Sequence, residues 1–310
     1  MSQQVFITGA AGLVGQNLIP VLKRNPDLKI VAADKHPTNT AKLAELHPDI
    51  EVIQADLAEP GGWQARLADS DMAVFLHAQI GGLDEAEFIR NNVTATELCL
   101  SAMESGKTRY LVHISSSVVN SMADDFYTRS KTAQEAVVAK TDIPHIILRP
   151  TLMFGWFDRK HLGWLKRFME RMPVFPIPGD GKYLRQPLYA GDFSAIIVSS
   201  IASQKTGAFN ISGQETVDYI DLIRAIKRVT GAGALILKIP YGVFWLLLKT
   251  YALFSKNPPF TTSQLEALVT PDVFEVIDWP TLFNVPATTL EDALTETFLD
   301  PTYSKVELDF

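Results

Sequence analysis

Cysteine is nearly absent from this chain of 310 residues, which contains only Cys99. A single thiol excludes an internal disulfide and suits a reducing compartment, so we expect a cytoplasmic location. No group of His and Cys has metal-ligand spacing, so we expect no metal site. Basic runs are also missing and the net charge is −7, which argues against nucleic acid as a partner.

Long apolar runs are absent as well. The most apolar segment, residues 239–254, is interrupted by Pro240 and Lys249 and is too short to span a bilayer. We expect it to form a helix in the core of the second half of the chain. A subunit interface, a lid and a membrane-surface helix are the alternatives. The first predicted strand begins within a few residues of the N-terminus, so we expect no signal peptide.

The glycines that are present form a motif near the N-terminus. Residues 4–7 are a short apolar run that predicts a buried parallel strand, and an apolar-periodic helix follows from residue 13. Between them the spacing is Gly-x-x-Gly-x-x-Gly, which allows a tight turn and close approach of the backbone to a pyrophosphate. The helix N-terminus then faces the phosphates with free N–H groups. We therefore predict a dinucleotide site, formed by Gly9, Ala11, Gly12, Leu13, Val14 and Gly15, rather than an ordinary glycine-rich turn.

An acidic residue follows the second predicted strand. Asp34 lies 19 residues after Gly15, close to the usual position of the acid that binds an adenosine ribose. A carboxylate there accepts hydrogen bonds from the ribose hydroxyls and repels a 2′-phosphate. The cofactor is therefore predicted to be NAD, with NADP less favoured. Lys35 and His36 follow directly and would soften this preference, and a simple capping role for Asp34 is the alternative.

Two further strand ends supply candidate cofactor contacts. The third predicted strand, residues 51–55, leads to Asp56 and Leu57, where the carboxylate would receive the adenine amino group or cap the next turn. The fourth, residues 73–78, ends at His77 and Ala78. We predict that the residues at both strand ends contact the cofactor. We interpret His77 as packing at the strand end rather than acting in catalysis.

Residues 127–131 read Tyr-Thr-Arg-Ser-Lys and place a phenol and an amine four residues apart. On a helix these positions share one face. A phenol has a pKa of roughly 10, and a nearby ammonium group lowers it. Tyr127 would then exchange a proton with a substrate hydroxyl. The motif is short, so its weight comes from the dinucleotide site that precedes it.

Together these motifs resemble the extended short-chain dehydrogenase/reductases, the group of NAD-dependent epimerases and dehydratases that act on nucleotide sugars. The resemblance covers residues 5 to about 294 and rests on motifs in the family's order: the glycine motif, Asp34, Asp56, Asn91-Asn92-Val93, Ser115-Ser116-Ser117 and residues 127–131. It implies an α/β fold, a Rossmann-like doubly wound parallel sheet. The NAD-binding domain would cover residues 1–150. Residues 151–310 would form mainly a smaller substrate-binding region, with some segments returning to the sheet.

The resemblance also implies roles for individual residues. Ser116 would be the catalytic hydroxyl and Tyr127 the acid/base, while Lys131 would hold the nicotinamide ribose and lower the pKa of Tyr127. Further cofactor contacts would be Asn91, Ile114, Pro150 and Thr151. Substrate contacts would be Ser117, Arg149 and Arg185. An Arg at position 185 would hold the diphosphate of a nucleotide sugar with its planar fork, and a solvated loop arginine is the alternative. A homodimer through a helix pair that includes residues 127–139 is the implied assembly.

Three departures leave the reaction open. Residues 119–121 read Val-Asn-Ser where the family usually has Val-Tyr-Gly, and only ten residues separate Ser116 from Tyr127. Many epimerases also carry Asn where Arg149 stands. We expect an NAD-dependent nucleotide-sugar enzyme, a 4-epimerase or a 4-keto reductase. The alternatives are a dehydrogenase of a sterol-like or other hydrophobic alcohol, and a non-catalytic NAD-binding sensor or assembly factor, which the Tyr/Lys pair disfavours.

Overall fold

The computed structural model describes residues 3–122, 124–254, 261–270 and 274–309. The strands are β1 (Gln3–Thr8), β2 (Leu28–Asp34), β3 (Glu51–Gln54), β4 (Met72–Phe75), β5 (Tyr110–Ile114), β6 (His145–Pro150), β7 (Met153–Phe154), β8 (Val174–Pro178), β9 (Leu184–Arg185), β10 (Leu188–Tyr189), β11 (Gly207–Ile211), β12 (Val217–Asp218) and β13 (Leu235–Ile239). The α-helices are α1 (Leu13–Leu22), α2 (Pro37–Leu46), α3 (Trp63–Ala68), α4 (Glu85–Phe88), α5 (Ala95–Glu104), α6 (Phe126–Val138), α7 (Leu162–Arg171), α8 (Ala190–Ser203), α9 (Tyr219–Thr230), α10 (Tyr241–Phe254), α11 (Thr262–Val269), α12 (Trp279–Phe283) and α13 (Leu290–Leu299). A π-helical segment, Ile89–Thr94, precedes α5, and a 3₁₀ turn, Ser117–Asn120, follows β5.

The central sheet has the predicted doubly wound topology. Within the described ranges it contains seven strands in the order β11-β6-β5-β4-β1-β2-β3, all parallel. β2 and β3 lie on one side of β1, and β4, β5, β6 and β11 lie on the other side. Where the strand order changes direction in this way, between β1 and β4, a crevice opens at the carboxyl ends of the strands. The predicted Rossmann-like α/β class is confirmed. The added edge strand β11 comes from the second half of the chain.

Both faces of the sheet are covered, as parallel sheets require. In β1, Val5 and Ile7 face a core shared with α1 and α8, while Phe6 faces a core shared with α3 and α5. All three side chains are fully buried. The lone thiol, Cys99, packs in the second of these cores, which fixes α5 against the sheet. This burial holds the strand ends, and therefore the crevice, in place.

A third core lies in the second half of the chain. It gathers side chains from α7, α9, α13 and β8, among them Ile177, Ile223 and Leu294, which are all fully buried. β13 pairs with β8 in parallel at its edge. α10 follows β13 in the chain, and Leu268 and Val269 of α11 pack against this core.

The expectation that residues 239–254 form a core helix is wrong. The segment does form a helix, α10, but Phe244 is its one buried residue among those described. α10 packs chiefly against α11. Its sequence is apolar around the whole circumference, so one neighbouring element cannot cover it. None of the described helices is both long and apolar enough to cross a membrane.

Candidate active site

The predicted site residues collect at the carboxyl edge of the sheet. β1 leads into Gly9, β4 is followed by His77, β5 by Ser116 and β6 by Thr151. Because β1, β4, β5 and β6 are parallel neighbours, these four positions open onto one crevice. The crevice lies where the strand order reverses.

The glycine motif has the shape that a dinucleotide needs. Gly9 has φ +63°, and a Cβ added there would lie 2.7 Å from the backbone N of His77. A Cβ at Gly15 would lie 2.3 Å from the carbonyl oxygen of Ala10, so α1 approaches the loop after β1 more closely than any side chain allows. Gly12 is the N-cap of α1 and provides no side-chain cap, which leaves the first turn open toward a phosphate group. The loop therefore fits the pyrophosphate of a dinucleotide.

Asp34 fixes this loop from the next strand. One carboxylate oxygen accepts the backbone N–H of Ala11 at 2.9 Å, and the other accepts that of His36 at 3.0 Å. The two neighbouring basic residues are occupied: Lys35 Nζ donates to Asn91 Oδ1 at 3.0 Å, and the His36 ring caps α2. The end of β2 therefore presents the Asp34 carboxylate, while the two basic side chains beside it bind other groups.

Asp56 takes the turn-capping role that the sequence left open. Its Oδ1 accepts the backbone N–H of Ala58 at 3.0 Å, and its Oδ2 lies 2.9 Å from Arg90 Nη1 in an ion pair. Leu57 is buried in the core beside it. The Arg90 pair leaves the carboxylate less free for an adenine amino group than the sequence suggested.

Tyr127 and Ser116 meet at the end of β5. Asp125 caps α6 by accepting the Thr128 N–H, which places Tyr127 in the first turn of the helix. Its phenol lies near enough to the buried hydroxyl of Ser116 for that group to influence its protonation. Burial raises the pKa of Tyr127, and the Ser116 hydroxyl opposes this only in part. Ser117 lies half-buried in the 3₁₀ turn that follows.

Lys131 is fully buried one turn further along α6. Its Nζ donates to the Ile114 carbonyl oxygen at 2.9 Å and to Gln134 Oε1 at 2.5 Å. Burial lowers the pKa of Lys131 to about 7. The predicted lowering of the Tyr127 pKa by Lys131 is not seen, because the desolvation of the phenol dominates and the amine is held by Ile114 and Gln134.

A buried polar chain extends behind Lys131, and sequence reasoning missed it. Gln134 Nε2 donates to Thr96 Oγ1 at 2.9 Å and lies 3.3 Å from His77 Nε2. His77 Nδ1 is 2.7 Å from Thr8 Oγ1. Burial lowers the pKa of His77 to about 3, so the ring is neutral. The available signal was spacing, since Gln134 follows Tyr127 by seven residues and shares its helix face.

Arg149 and Arg185, the predicted substrate contacts, both have protein partners. Arg149 forms an ion pair with Glu135, which also accepts the Ser115 hydroxyl at 2.7 Å. Arg185 donates to backbone carbonyls at the end of α11, including that of Thr270 at 3.0 Å, and its guanidinium lies 5.4 Å from the Tyr183 ring centroid. The first arginine therefore ties β6 to α6, and the second caps α11.

The remaining candidates lie around the same crevice. Asn91 donates to Gln79 and Glu87 at the start of the π-helical segment, where such distortions often mark functional sites. Thr151 is buried, and its hydroxyl has no hydrogen-bond partner among the described residues. Pro150 is buried beside it at the end of β6, and Ala78 is exposed. An unpartnered buried hydroxyl at this edge is consistent with a cofactor contact.

The loops after β4 and β5 give this edge an apolar rim. Leu83 is 99% exposed and Met122 is fully exposed. The rings of Phe88 and Phe126, which follow these loops, lie 5.9 Å apart between centroids. The chain segments that follow the two loops therefore meet at Phe88 and Phe126.

The sequence matches the model of the NAD dependent epimerase/dehydratase family over residues 5–212. It is similar to a ceramide reductase of Caulobacter vibrioides, with 26% identity over 247 residues that cover 76% of this chain and 73% of that protein. It is also similar to the low-salt glycan biosynthesis protein Agl12 of Haloferax volcanii, with 25% identity over 73% of this chain and 82% of that protein.

Two solved structures share the fold. The UDP-glucuronic acid 4-epimerase from Bacillus cereus, in complex with UDP-glucuronic acid and NAD, has a TM-score of 0.73 and 22% identity, and the match covers 95% of this chain and 98% of that one. The UDP-N-acetylglucosamine 4-epimerase from Methanobrevibacter ruminantium has a TM-score of 0.74 and 16% identity, covering 96% and 97% of the two chains.

Proposed function

This chain belongs to the NAD dependent epimerase/dehydratase family, and from that membership we propose that it oxidises a secondary alcohol of a nucleotide sugar or reduces the corresponding ketone. It is an NAD-dependent enzyme of the extended short-chain dehydrogenase/reductase type. Within this class we favour a sugar 4-epimerase or 4-keto reductase. Substrate choice we assign to the region after residue 150.

The observation that carries the proposal is that Tyr127 and Ser116 come together at the end of β5, with Lys131 one helical turn away. In this proposal the Ser116 hydroxyl would orient a substrate oxygen, and the Tyr127 phenol would exchange a proton with it. NAD supplies the acceptor or donor of hydride when it is bound. The glycine motif would hold its pyrophosphate, Asp34 its adenosine ribose and Lys131 its nicotinamide ribose.

The protonation state of Tyr127 favours the reductive direction. Because burial raises its pKa, the phenol is protonated at neutral pH and can donate a proton to the oxygen of a keto sugar. Oxidation of an alcohol, the first half of epimerisation, requires the phenol to lose that proton first. Lys131, with a pKa of about 7, is partly neutral and lies one turn further along the same helix.

NAD rather than NADP is the cofactor that we propose. The negative charge of Asp34 would repel a 2′-phosphate. The neighbouring basic side chains do not offset this repulsion, because Lys35 binds Asn91 and the His36 ring caps α2. The loop contact between Asp34 and Ala11 couples this preference to the shape of the glycine motif.

A second candidate is reduction of a hydrophobic keto compound or oxidation of its alcohol. Three observations favour it: the similarity to a ceramide reductase, the apolar rim with Leu83 and Met122, and the engagement of Arg185 with α11, which removes the expected diphosphate anchor. A non-catalytic NAD-binding role is the weakest of the three hypotheses, because such a role has no use for the Tyr127–Ser116 contact. The homodimer through α6 and the cytoplasmic location remain predictions.

The deciding experiment incubates the purified protein with a panel of nucleotide sugars, first without added cofactor. Formation of an isomer identifies an epimerase with retained NAD, and loss of water identifies a dehydratase. Conversion that begins only when NADH is supplied identifies a reductase. If the whole panel stays unchanged while a long-chain keto lipid is reduced, the nucleotide-sugar proposal is wrong and the second candidate holds.

A further inference from the structure

α10 exposes an unusual amount of apolar surface. Leu246 and Leu247 are 59% and 56% exposed, and Leu253 and Phe254 at its end are 79% and 86% exposed. Lys249 is the one charged residue among its 14. A contiguous apolar surface of this kind marks an interaction site rather than ordinary surface variation.

The strand that leads into α10 extends this surface. Leu235 and Leu237 of β13 are 61% and 47% exposed, and Lys238 lies beside them. Within α10, Lys249 Nζ lies 4.6 Å from the Trp245 ring centroid. Tryptophan and lysine side chains next to exposed leucines are typical of protein segments that lie at the boundary between water and lipid.

The charges around this surface are segregated. Residues 222–265 contain Arg224, Lys227, Arg228, Lys238, Lys249 and Lys256 and no Asp or Glu. The segment therefore carries +6 in a chain whose net charge is −7, although Asp221 and Glu266 flank it. An open depression of about 530 Å³ lies against β13 at Ile236 and is lined by the three basic residues of α9, of which Arg224 and Arg228 form ion pairs with Asp221 and Glu291. β13 and α10 themselves carry Lys238 and Lys249 and no acidic residue.

We propose that α10 and β13 form a docking surface for an anionic lipid bilayer. The exposed leucines and Phe254 enter the boundary between headgroups and acyl chains, and Lys238 and Lys249 contact the headgroups. A second copy of this chain fits less well, because pairing through α10 and β13 brings the exposed Lys238 and Lys249 of both copies together with no acidic partner on these two elements. The proposal is independent of the substrate.

Vesicle co-sedimentation of the full chain tests the apolar part of the proposal. Wild type is expected to bind vesicles of phosphatidylcholine with phosphatidylglycerol, and to bind pure phosphatidylcholine at least tenfold less. The double variant Leu246→Glu/Leu247→Glu is expected to lower the partition coefficient on the anionic vesicles at least tenfold. Leu299→Glu is the matched control, because Leu299 is 54% exposed at the end of α13. Circular dichroism and the melting temperature verify that both variants are folded.

The charge part has its own test. Lys238→Glu/Lys249→Glu is expected to weaken binding to the anionic vesicles at least tenfold, and added salt is expected to do the same for wild type. Lys140→Glu, an exposed lysine after α6, is the control. If wild type binds neither kind of vesicle, the proposal is wrong. If it forms an oligomer that Leu246→Glu/Leu247→Glu dissolves, and binds no vesicle, the surface is an interface between copies.

Discussion

Lys131 makes the free energy of unfolding of this protein depend on pH. Replacing Lys131 by an uncharged residue should remove this contribution. Burial lowers its pKa from 10.5 to about 7, so the folded chain binds its proton less tightly than the unfolded chain does. The free energy of unfolding therefore rises with pH between these two values. Below pH 7 the lysine is charged in both states and the full cost of the buried charge is present. Lys131→Met keeps the length of the side chain and removes the charge.

The size of the effect follows from the two pKa values. At about 1.4 kcal/mol for each pKa unit, the buried charge costs roughly 5 kcal/mol at low pH. Between pH 6 and pH 9 wild type should gain about 2 to 3 kcal/mol relative to Lys131→Met. In the folded state the neighbouring groups do not titrate in this window, and the titration of histidines in the unfolded chain is common to wild type and variant. Burial lowers the pKa of His77 and His113, and hydrogen bonds from Arg149 and Ser115 lower that of Glu135 against the opposing effect of burial.

Urea unfolding of both proteins at several pH values measures this difference directly. The wild-type-minus-variant free energy of unfolding should increase steadily from pH 6 to pH 9. Lys140→Met controls for the removal of a lysine from the same stretch of chain. A difference that stays flat, or that falls as the pH rises, would refute the assignment of Lys131 as a buried amine held by Ile114 and Gln134.

Three further predictions concern the partners of the site. Gln134→Leu removes an acceptor from Lys131 and should cost about 1.5–3 kcal/mol of stability in urea unfolding, whereas Gln134→Glu should keep Lys131 anchored; equal losses would contradict the role of the acceptor. Asp34→Ala should shift the ratio of NADP to NAD affinity toward NADP by at least about tenfold, as measured by calorimetry. An unchanged ratio would contradict the proposal that Asp34 selects NAD over NADP. Arg149→Met should cost about 3 kcal/mol because Glu135 is left half-buried and unpaired; adding Glu135→Gln should restore much of it, and simple additivity would show that the pair does not interact.

The fold and the centre of the site were accessible from the sequence because their signals are local. The glycine motif lies between one strand and one helix, so its three glycines encode a backbone shape within seven residues. Tyr127 and Lys131 share a helix face by spacing alone. The confirmed parallel sheet follows from short apolar strands that alternate with helices.

The remainder depends on partners that are distant in sequence. Arg185 looked free for a diphosphate, but its carbonyl partners on α11 lie 83 and 85 residues away. The anchoring of Lys131 by the Ile114 carbonyl oxygen joins groups 17 residues apart, and local spacing does not reveal the burial of the amine beneath β5. The exposure of α10 was misjudged because an apolar composition predicts burial, while the number of neighbours available to cover a helix is a property of the fold.

The central claim is that Tyr127 transfers the proton in an NAD-dependent oxidoreduction, and its most direct test is the turnover number of Tyr127→Phe on the substrate that the panel identifies. The account predicts a loss of about 10²–10⁴-fold in kcat, with NAD affinity and melting temperature close to those of wild type. Turnover by Tyr127→Phe within a few-fold of wild type would contradict it.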